Sequence, residues 1–303
     1  MSLTISGDLG PVVTPFQPNG DVDVAAFSNN LRGHLDAGLG GIVVTGSTGE
    51  AALLDERERM SLVEAARAVV PKGRPLVVGT GAESTRMAQR LTRLAAERGA
   101  DAVLVVAPHY YGGKAMTGSA LRAHYTAIAD TSPVPLLLYS IPKYMHFALA
   151  PQLVAELAQH ENIIGIKDSS GDLELLAGYL KAQGERFTVL TGNASTFRQA
   201  IVLGARGGIL AAALFAPGVC LDIYTGVRER SAVPAGAADQ AQQRLTPLGG
   251  RIVGEMGVPG VKAAMDQVGL RGGPVRPPLL PLGSAEIAEV AQLLRAAELS
   301  LAA

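Results

Sequence analysis

The sequence holds a single cysteine, Cys220, and no tryptophan among its 303 residues. One cysteine cannot close an internal disulfide, so nothing in the chain points to an oxidising compartment. A surplus of charge of one sign is also missing, since 26 basic against 27 acidic residues leave a formal net charge of -1. A nucleic-acid binder needs excess cations to displace counterions from phosphates, and that class is set aside. Long hydrophobic runs are absent: the most apolar stretch, 207–216, meets Pro217 and is too short to span a bilayer. The start, MSLTISGDLGPVV, lacks the basic and apolar regions of a signal peptide. The expectation is a cytoplasmic protein with no nucleic-acid and no membrane partner.

Chemistry-bearing side chains are scarce as well. There is no H-E-x-x-H and no C-x-x-C, and the five His are scattered, so no metal is expected. No G-x-S-x-G elbow is present to start a Ser-His-Asp triad. GTGAEST, 79–85, lacks the third glycine of a dinucleotide loop, and no cofactor is expected. Only six lysines occur, at 72, 114, 143, 167, 181 and 262; the other basic residues are Arg. An enzyme built from this chain has a short list of nucleophiles.

What is present is a fold pattern. With 48% hydrophobic residues the chain can bury a large core. Short runs of Val, Ile and Leu recur at 10–16, 41–47, 75–81, 102–108, 135–141, 163–169, 188–192 and 207–214. Their apolarity is continuous rather than alternating, as in parallel strands buried on both faces. Helical spacing lies between them: Leu62, Val63, Ala66, Val69 and Val70 after DERER, then Met87, Leu91, Leu94 and Ala95, and a helix opened by Pro151. Eight such units predict a (β/α)8 TIM barrel. The competitor, an open doubly wound sheet, usually has fewer strands and often a Gly-rich first turn, and here the first strand leads into TPFQPNGD. After about residue 230 the pattern turns helical, over 237–252 and 261–268 and, with Ser284 as N-cap, 284–301. The predicted division is a barrel over 1–230 and a C-terminal helical extension over 231–303.

Barrel enzymes work at the C-terminal ends of their strands. Strand 6 ends IIGIKDSSGD, which places Lys167 after an apolar run. Burial disfavours the charged ammonium, and a neutral amine attacks ketones to form Schiff bases. The plainer role for such a lysine is an ion pair with Asp168 or another carboxylate. Strand 5 ends LLLYSIP, so Tyr139 is either a proton shuttle at the mouth or a core aromatic. After strand 2, Gly46 and Gly49 permit a tight turn. Ser47 and Thr48 in it can bind a carboxylate through hydroxyl and N–H groups, or merely cap the backbone. Tyr110 and Tyr111 stand in a Gly-flanked loop where folding does not need bulky rings, which points to function or to a subunit contact. Gly192 and Ile209 lie at the ends of strands 7 and 8, where small residues either leave room for a ligand or form a close-packed corner.

Together, GSTGE (46–50), YSIP (139–142) and IKDSSGD (166–172) resemble the dihydrodipicolinate synthase / N-acetylneuraminate lyase family of class I pyruvate aldolases. VVTPF (12–16), NGDVD (19–23), APHYY (107–111) and the helical tail extend the likeness over nearly the whole chain. The resemblance implies a barrel with a helical extension, assembled as a homotetramer (a dimer of dimers), and a small 2-oxo acid as substrate. It implies Lys167 as Schiff-base lysine, Tyr139 as proton shuttle and Ser47 as relay hydroxyl. It also implies Thr48 as holder of the oxo-acid carboxylate, with Gly192 and Ile209 lining the pyruvate pocket. Tyr110, with Tyr111 as the alternative, is implied as a relay reaching across a dimer interface. The pattern departs from the synthases at one point. Their second residue after the motif proline is an Arg that holds the aldehyde's carboxylate, and here it is Tyr144, with Lys143 beside it expected to point elsewhere. Tyr144, Met145 and Ser169 are expected around the aldehyde pocket. The resulting reading is a 4-hydroxy-2-oxoglutarate or sugar-acid aldolase. The alternatives are dihydrodipicolinate synthase itself, a keto-deoxy sugar acid dehydratase and a non-catalytic 2-oxo acid-binding relative.

Overall fold

The computed structural model describes residues 5–229 and 236–302. The apolar runs form eight strands: β1 Gly7–Pro11, β2 Gly41–Val44, β3 Leu76–Gly79, β4 Ala102–Val106, β5 Leu136–Ser140, β6 Ile163–Asp168, β7 Thr188–Thr191 and β8 Gly207–Ile209. Each pairs in parallel with its sequence neighbours, and β8 returns to β1 through Gly7↔Gly207, Asp8↔Gly208 and Leu9↔Ile209. The result is a closed (β/α)8 barrel, not an open sheet. Closure needs glycine where the ends meet, because a Cβ on Gly207 would stand 2.6 Å from the backbone nitrogen of Gly7. Strands packed on barrel interior and helices alike have no solvent face, which is why their apolarity runs unbroken.

Helices fill the returns: α1 Val24–Asp36, α2 Glu56–Val69, α3 Thr85–Glu97, α4 Gly112–Ala115, α5 Gly118–Thr131, α6 Pro142–Met145, α7 Pro151–Leu157, α8 Leu173–Leu180, α9 Phe197–Leu203 and α10 Pro217–Arg228. The extension adds α11 Ala237–Pro247, α12 Gly257–Gln267 and α13 Ser284–Ala296. Several starts follow from short polar side chains. Asp23 Oδ1 accepts from Ala26 N (2.9 Å), and Asp172 Oδ1 accepts from Glu174 N and Leu175 N (2.9 and 3.0 Å). Asp55 and Glu58 exchange bonds across the first turn of α2. Two acids of the motifs NGDVD and IKDSSGD are thus helix caps.

The structure corrects several boundaries. β1 begins upstream of the predicted 10–16 run: Val12 still donates to Val43 O, but the chain then leaves the barrel and Phe16 pairs antiparallel with Val22. β8 stops at Ile209, and Ala211–Leu214 winds into a 3-10 turn. On α3 the inward face is Ala88, Leu91, Thr92 and Ala95, while Met87 is 44% exposed. The predicted helix 237–252 ends at Pro247, and Leu248–Glu255 continues as a π-helical stretch. Gly249 in that stretch approaches the barrel so closely that a Cβ would lie 2.8 Å from Ala194 Cβ. Ser284 is the first residue of α13 rather than its cap, Gly283 N donates to Glu286 Oε2 (2.9 Å), and the helix ends at Ala296. The predicted division at 230/231 lies outside the described residues. Ala241, Leu245, Leu248, Ile252, Val261 and Met265 of the extension are buried in the same cluster as the barrel strands.

Candidate active site

The C-terminal mouth of the barrel holds a cavity of about 150 Å³. Lys167 reaches it from the fifth position of β6, and Tyr139 is its direct neighbour in register on β5. The Lys167 amine stands 4.4 Å from the centre of the Tyr139 ring, and the lysine is only 5% exposed. The ion pair with Asp168 does not form. Asp168 turns the other way, its oxygens accepting from Ser170 N (3.1 Å) and Ser170 Oγ (2.7 Å). Burial pushes the Asp168 carboxyl up to about 6, against the pull of those Ser170 bonds.

Gly192 makes room for the lysine. Its N–H donates to Asp168 O (2.6 Å), and a Cβ there would stand 2.7 Å from Lys167 Cε and closer still to Ser169 Oγ. Any side chain at 192 would displace the amine. Ile209 closes the cavity from the end of β8.

Across the cavity lies the turn after β2. Its tightness comes from an unexpected place: the left-handed residues are Thr45 (φ 49) and Glu50 (φ 55), not Gly46 or Gly49. Non-glycine residues in that region are strained, and strain of this kind gathers at sites that must hold a fixed shape. Gly49 is required for another reason, since a Cβ would lie 3.0 Å from Val12 O, and its own carbonyl accepts from Thr14 Oγ1 (2.7 Å). The turn is closed by Gly49 N and Ala51 N donating to Gly46 O and by Glu50 N donating to Ser47 O. Among the described residues, neither the N–H groups nor the hydroxyls of Ser47 and Thr48 bond to a protein acceptor. Both residues line the cavity with Lys167 and Tyr139. Two free N–H groups and two hydroxyls opposite an amine can hold a carboxylate whose neighbouring carbonyl the amine attacks.

The structure brings Lys167, Tyr139, Ser47, Thr48, Gly192 and Ile209 together. It does not bring Tyr110. That ring is 79% exposed, packs edge-on against Tyr111 with centroids 5.2 Å apart, and lines neither this cavity nor its neighbour. Met145 also lies outside: it is buried, and its sulfur accepts from Ile141 N (3.2 Å). Tyr144 and Ser169 line the cavity as expected. Partial burial, with the nearby Tyr139, raises the Tyr144 phenol above its ordinary value.

Sequence reading missed three features. Lys143 does not point away but lines the cavity beside Tyr144. Gly249, Val253, Gly254, Gly257 and Val258 of the extension form one wall. Glu50, the acid of the 46–50 motif, is buried in an ion pair with Lys262 of α12 (2.5 Å). Lys262 lies on the apolar face carrying Val258 and Met265, a lone charge at helical spacing that could have been read as buried. A second cavity of about 1050 Å³ adjoins the first, sharing Ser47, Tyr139, Lys143 and Tyr144 with it. Among the described residues, no group of three or more His, Cys, Asp or Glu stands close enough to share a metal ion, and no helix is long and apolar enough to cross a membrane.

Residues 4–297 match the dihydrodipicolinate synthetase family. The chain is 33% identical over 296 residues to the 4-hydroxy-tetrahydrodipicolinate synthase of Thermodesulfovibrio yellowstonii, covering 97% of this chain and 98% of that protein. Among solved structures it superposes on the dihydrodipicolinate synthase of Acinetobacter baumannii complexed with pyruvate, with a TM-score of 0.91, 31% identity and 98% and 100% of the two chains covered. A prophage protein of the dihydrodipicolinic acid synthase family from E. coli K12, also in complex with pyruvate, aligns with a TM-score of 0.91 and 28% identity over 98% of this chain and all of that one.

Proposed function

The chain belongs to the dihydrodipicolinate synthetase family of pyruvate-dependent lyases, and on that premise we propose that Lys167 carries a Schiff-base carbon–carbon bond reaction of pyruvate at the barrel mouth. The observation that carries this reading is the buried Lys167 amine, paired with no carboxylate among the described residues, facing Tyr139 and the Ser47–Thr48 turn in one small cavity. In its neutral form the amine adds to C2 of pyruvate, and loss of water leaves an iminium. Removal of a C3 proton gives an enamine, and C3 attacks the carbonyl carbon of an aldehyde, forming the C3–C4 bond. Hydrolysis of the iminium returns Lys167. The same steps reversed cleave a 4-hydroxy-2-oxo acid. Thr48 and the turn N–H groups hold the pyruvate carboxylate, while Gly192 and Ile209 shape the pocket. Tyr139 moves protons to and from the reacting oxygen with Ser47 as relay. Tyr110, which lines neither of this chain's own cavities, would serve as relay only in the site of a second copy within a homotetramer.

For the acceptor, the name carried by the relatives supports condensation with aspartate semialdehyde above the 4-hydroxy-2-oxoglutarate aldolase reading drawn from the motifs. The aldolase reading keeps one observation, Tyr144 in place of a bidentate guanidinium. A panel assay separates them. The expected outcome is that product formation from pyruvate and aspartate semialdehyde exceeds pyruvate release from 4-hydroxy-2-oxoglutarate, keto-deoxy sugar acids and N-acetylneuraminate. The reverse order would establish the aldolase, and no turnover with any member would overturn the lyase proposal.

A further inference from the structure

The turn across the cavity from Lys167 is tied down at both ends, and one of the two ties is an ion pair. Thr45 and Glu50, its left-handed residues, mark those ends. At the first, Thr45 Oγ1 donates to Gly79 O (3.0 Å) and fastens the turn to β3. At the second, the Glu50 carboxylate pairs with Lys262 Nζ at 2.5 Å, with both side chains closed to solvent. The other oxygen, Glu50 Oε2, accepts from Arg276 N (2.9 Å). Neither Glu50 nor Lys262 lines the small cavity, so neither touches a molecule bound there. Their neighbours do line it: Ser47 and Thr48 in the same turn as Glu50, and Val258 and Val261 on the same helix as Lys262. A non-glycine residue in the left-handed region stays there only while its surroundings hold it. The desolvation cost of a buried ion pair offsets much of its attraction, so net stability alone does not account for one at this place.

We propose that the Glu50–Lys262 pair positions the Ser47–Thr48 turn for the pyruvate carboxylate, so that the C-terminal extension sets affinity for the oxo acid without touching it. This rests on the proposed lyase reading. The competing role for the pair is support of the fold alone. The test compares pyruvate with pyruvamide, which offers Lys167 the same ketone and offers the turn no charge. The second-order rate of borohydride trapping is measured for each in the wild type, Glu50→Gln, Lys262→Met and the double variant, with a urea midpoint for every protein. Each single variant is expected to lower the pyruvate rate about tenfold or more and the pyruvamide rate by less than about twofold. The double variant strands no charge and should regain stability, and it carries the comparison where Lys262→Met does not fold. Its turn still lacks the ion pair, so its pyruvate rate should stay low. Rates for the two ketones that fall together, an unchanged pyruvate rate, or a pyruvate rate that recovers along with the urea midpoint would reduce the pair to fold support and overturn the proposal. A wild type that traps both ketones alike would remove the turn as carboxylate holder, and the proposal with it. Failure of the wild type to trap pyruvate at all would instead remove the lyase reading.

Discussion

Two buried ionisable residues at opposite ends of the barrel show how context decides use. Lys167, at the C-terminal end of β6, keeps its amine against an aromatic ring and a cavity, and glycine at 192 leaves it space. Asp8, near the start of β1, is buried, and among the described residues neither carboxylate oxygen has a hydrogen-bond partner. Burial pushes its carboxyl up from 3.8 to about 7. Because this folded-state value is raised, the folded protein binds the proton more tightly than the unfolded chain. The stabilising contribution is therefore full below about pH 4 and is lost as pH rises toward about 7. His34 and His124 are lowered by burial from 6.5 to about 4, so their contribution rises over much of the same range and masks Asp8 in the wild type. Comparison with Asp8→Asn isolates the carboxylate. Urea unfolding should show the wild type losing a few kcal/mol relative to the variant between pH 4 and pH 8. A difference that stays constant across that range would contradict the burial account. At this scale Lys167 and Tyr139 were legible because each ends an apolar run. Lys143 was not, since nothing in YSIPKYM says that two adjacent side chains both reach the cavity from a helix as short as α6.

At the scale of elements, the turn proposed to hold the carboxylate is clamped from behind by the extension. Glu50 Oε1 pairs with Lys262 Nζ, which also donates to Pro274 O (2.8 Å), and Glu50 Oε2 accepts from Arg276 N (2.9 Å). The Phe16 ring packs against both cations, 4.5 Å from Lys262 Nζ and 4.3 Å from the Arg276 guanidinium. Arg276 grips Glu58 with two bonds (2.8 and 2.6 Å) and so ties α2 into the same cluster. Burial lowers the Lys262 ammonium and Glu50 opposes that shift. Removing one partner leaves the other charge buried and unpaired. Lys262→Met is therefore expected to cost about 3–5 kcal/mol of stability, read as a lowered urea midpoint. Adding Glu50→Gln should recover part of it. A single variant as stable as the wild type would mean that the pair contributes nothing to the clamp. The strands and the order of helices were readable because burial on both faces writes unbroken apolar runs. Helix ends in the extension were not: the change of winding after Pro247 goes with the close approach of Gly249 to Ala194, a contact between residues far apart in the chain.

The whole molecule is a barrel whose mouth is completed by its own C-terminal extension. β5 and β6 supply Tyr139 and Lys167, the turn after β2 supplies Ser47 and Thr48, and the π-helical stretch with α12 supplies the opposite wall. The barrel follows from the eight apolar runs, and the motifs resemble the family to which the chain belongs. The wall formed by the extension appears only once the chain is folded, because glycines and valines carry no sign of chemistry in a sequence. The central claim is that Lys167 forms a Schiff base with pyruvate, and intact-mass and peptide mass spectrometry after incubation with pyruvate and borohydride tests it directly. The account predicts one reduced pyruvyl adduct per chain, mapped to Lys167 and lost in Lys167→Ala. No adduct at saturating pyruvate, or an adduct that survives in Lys167→Ala, would contradict it.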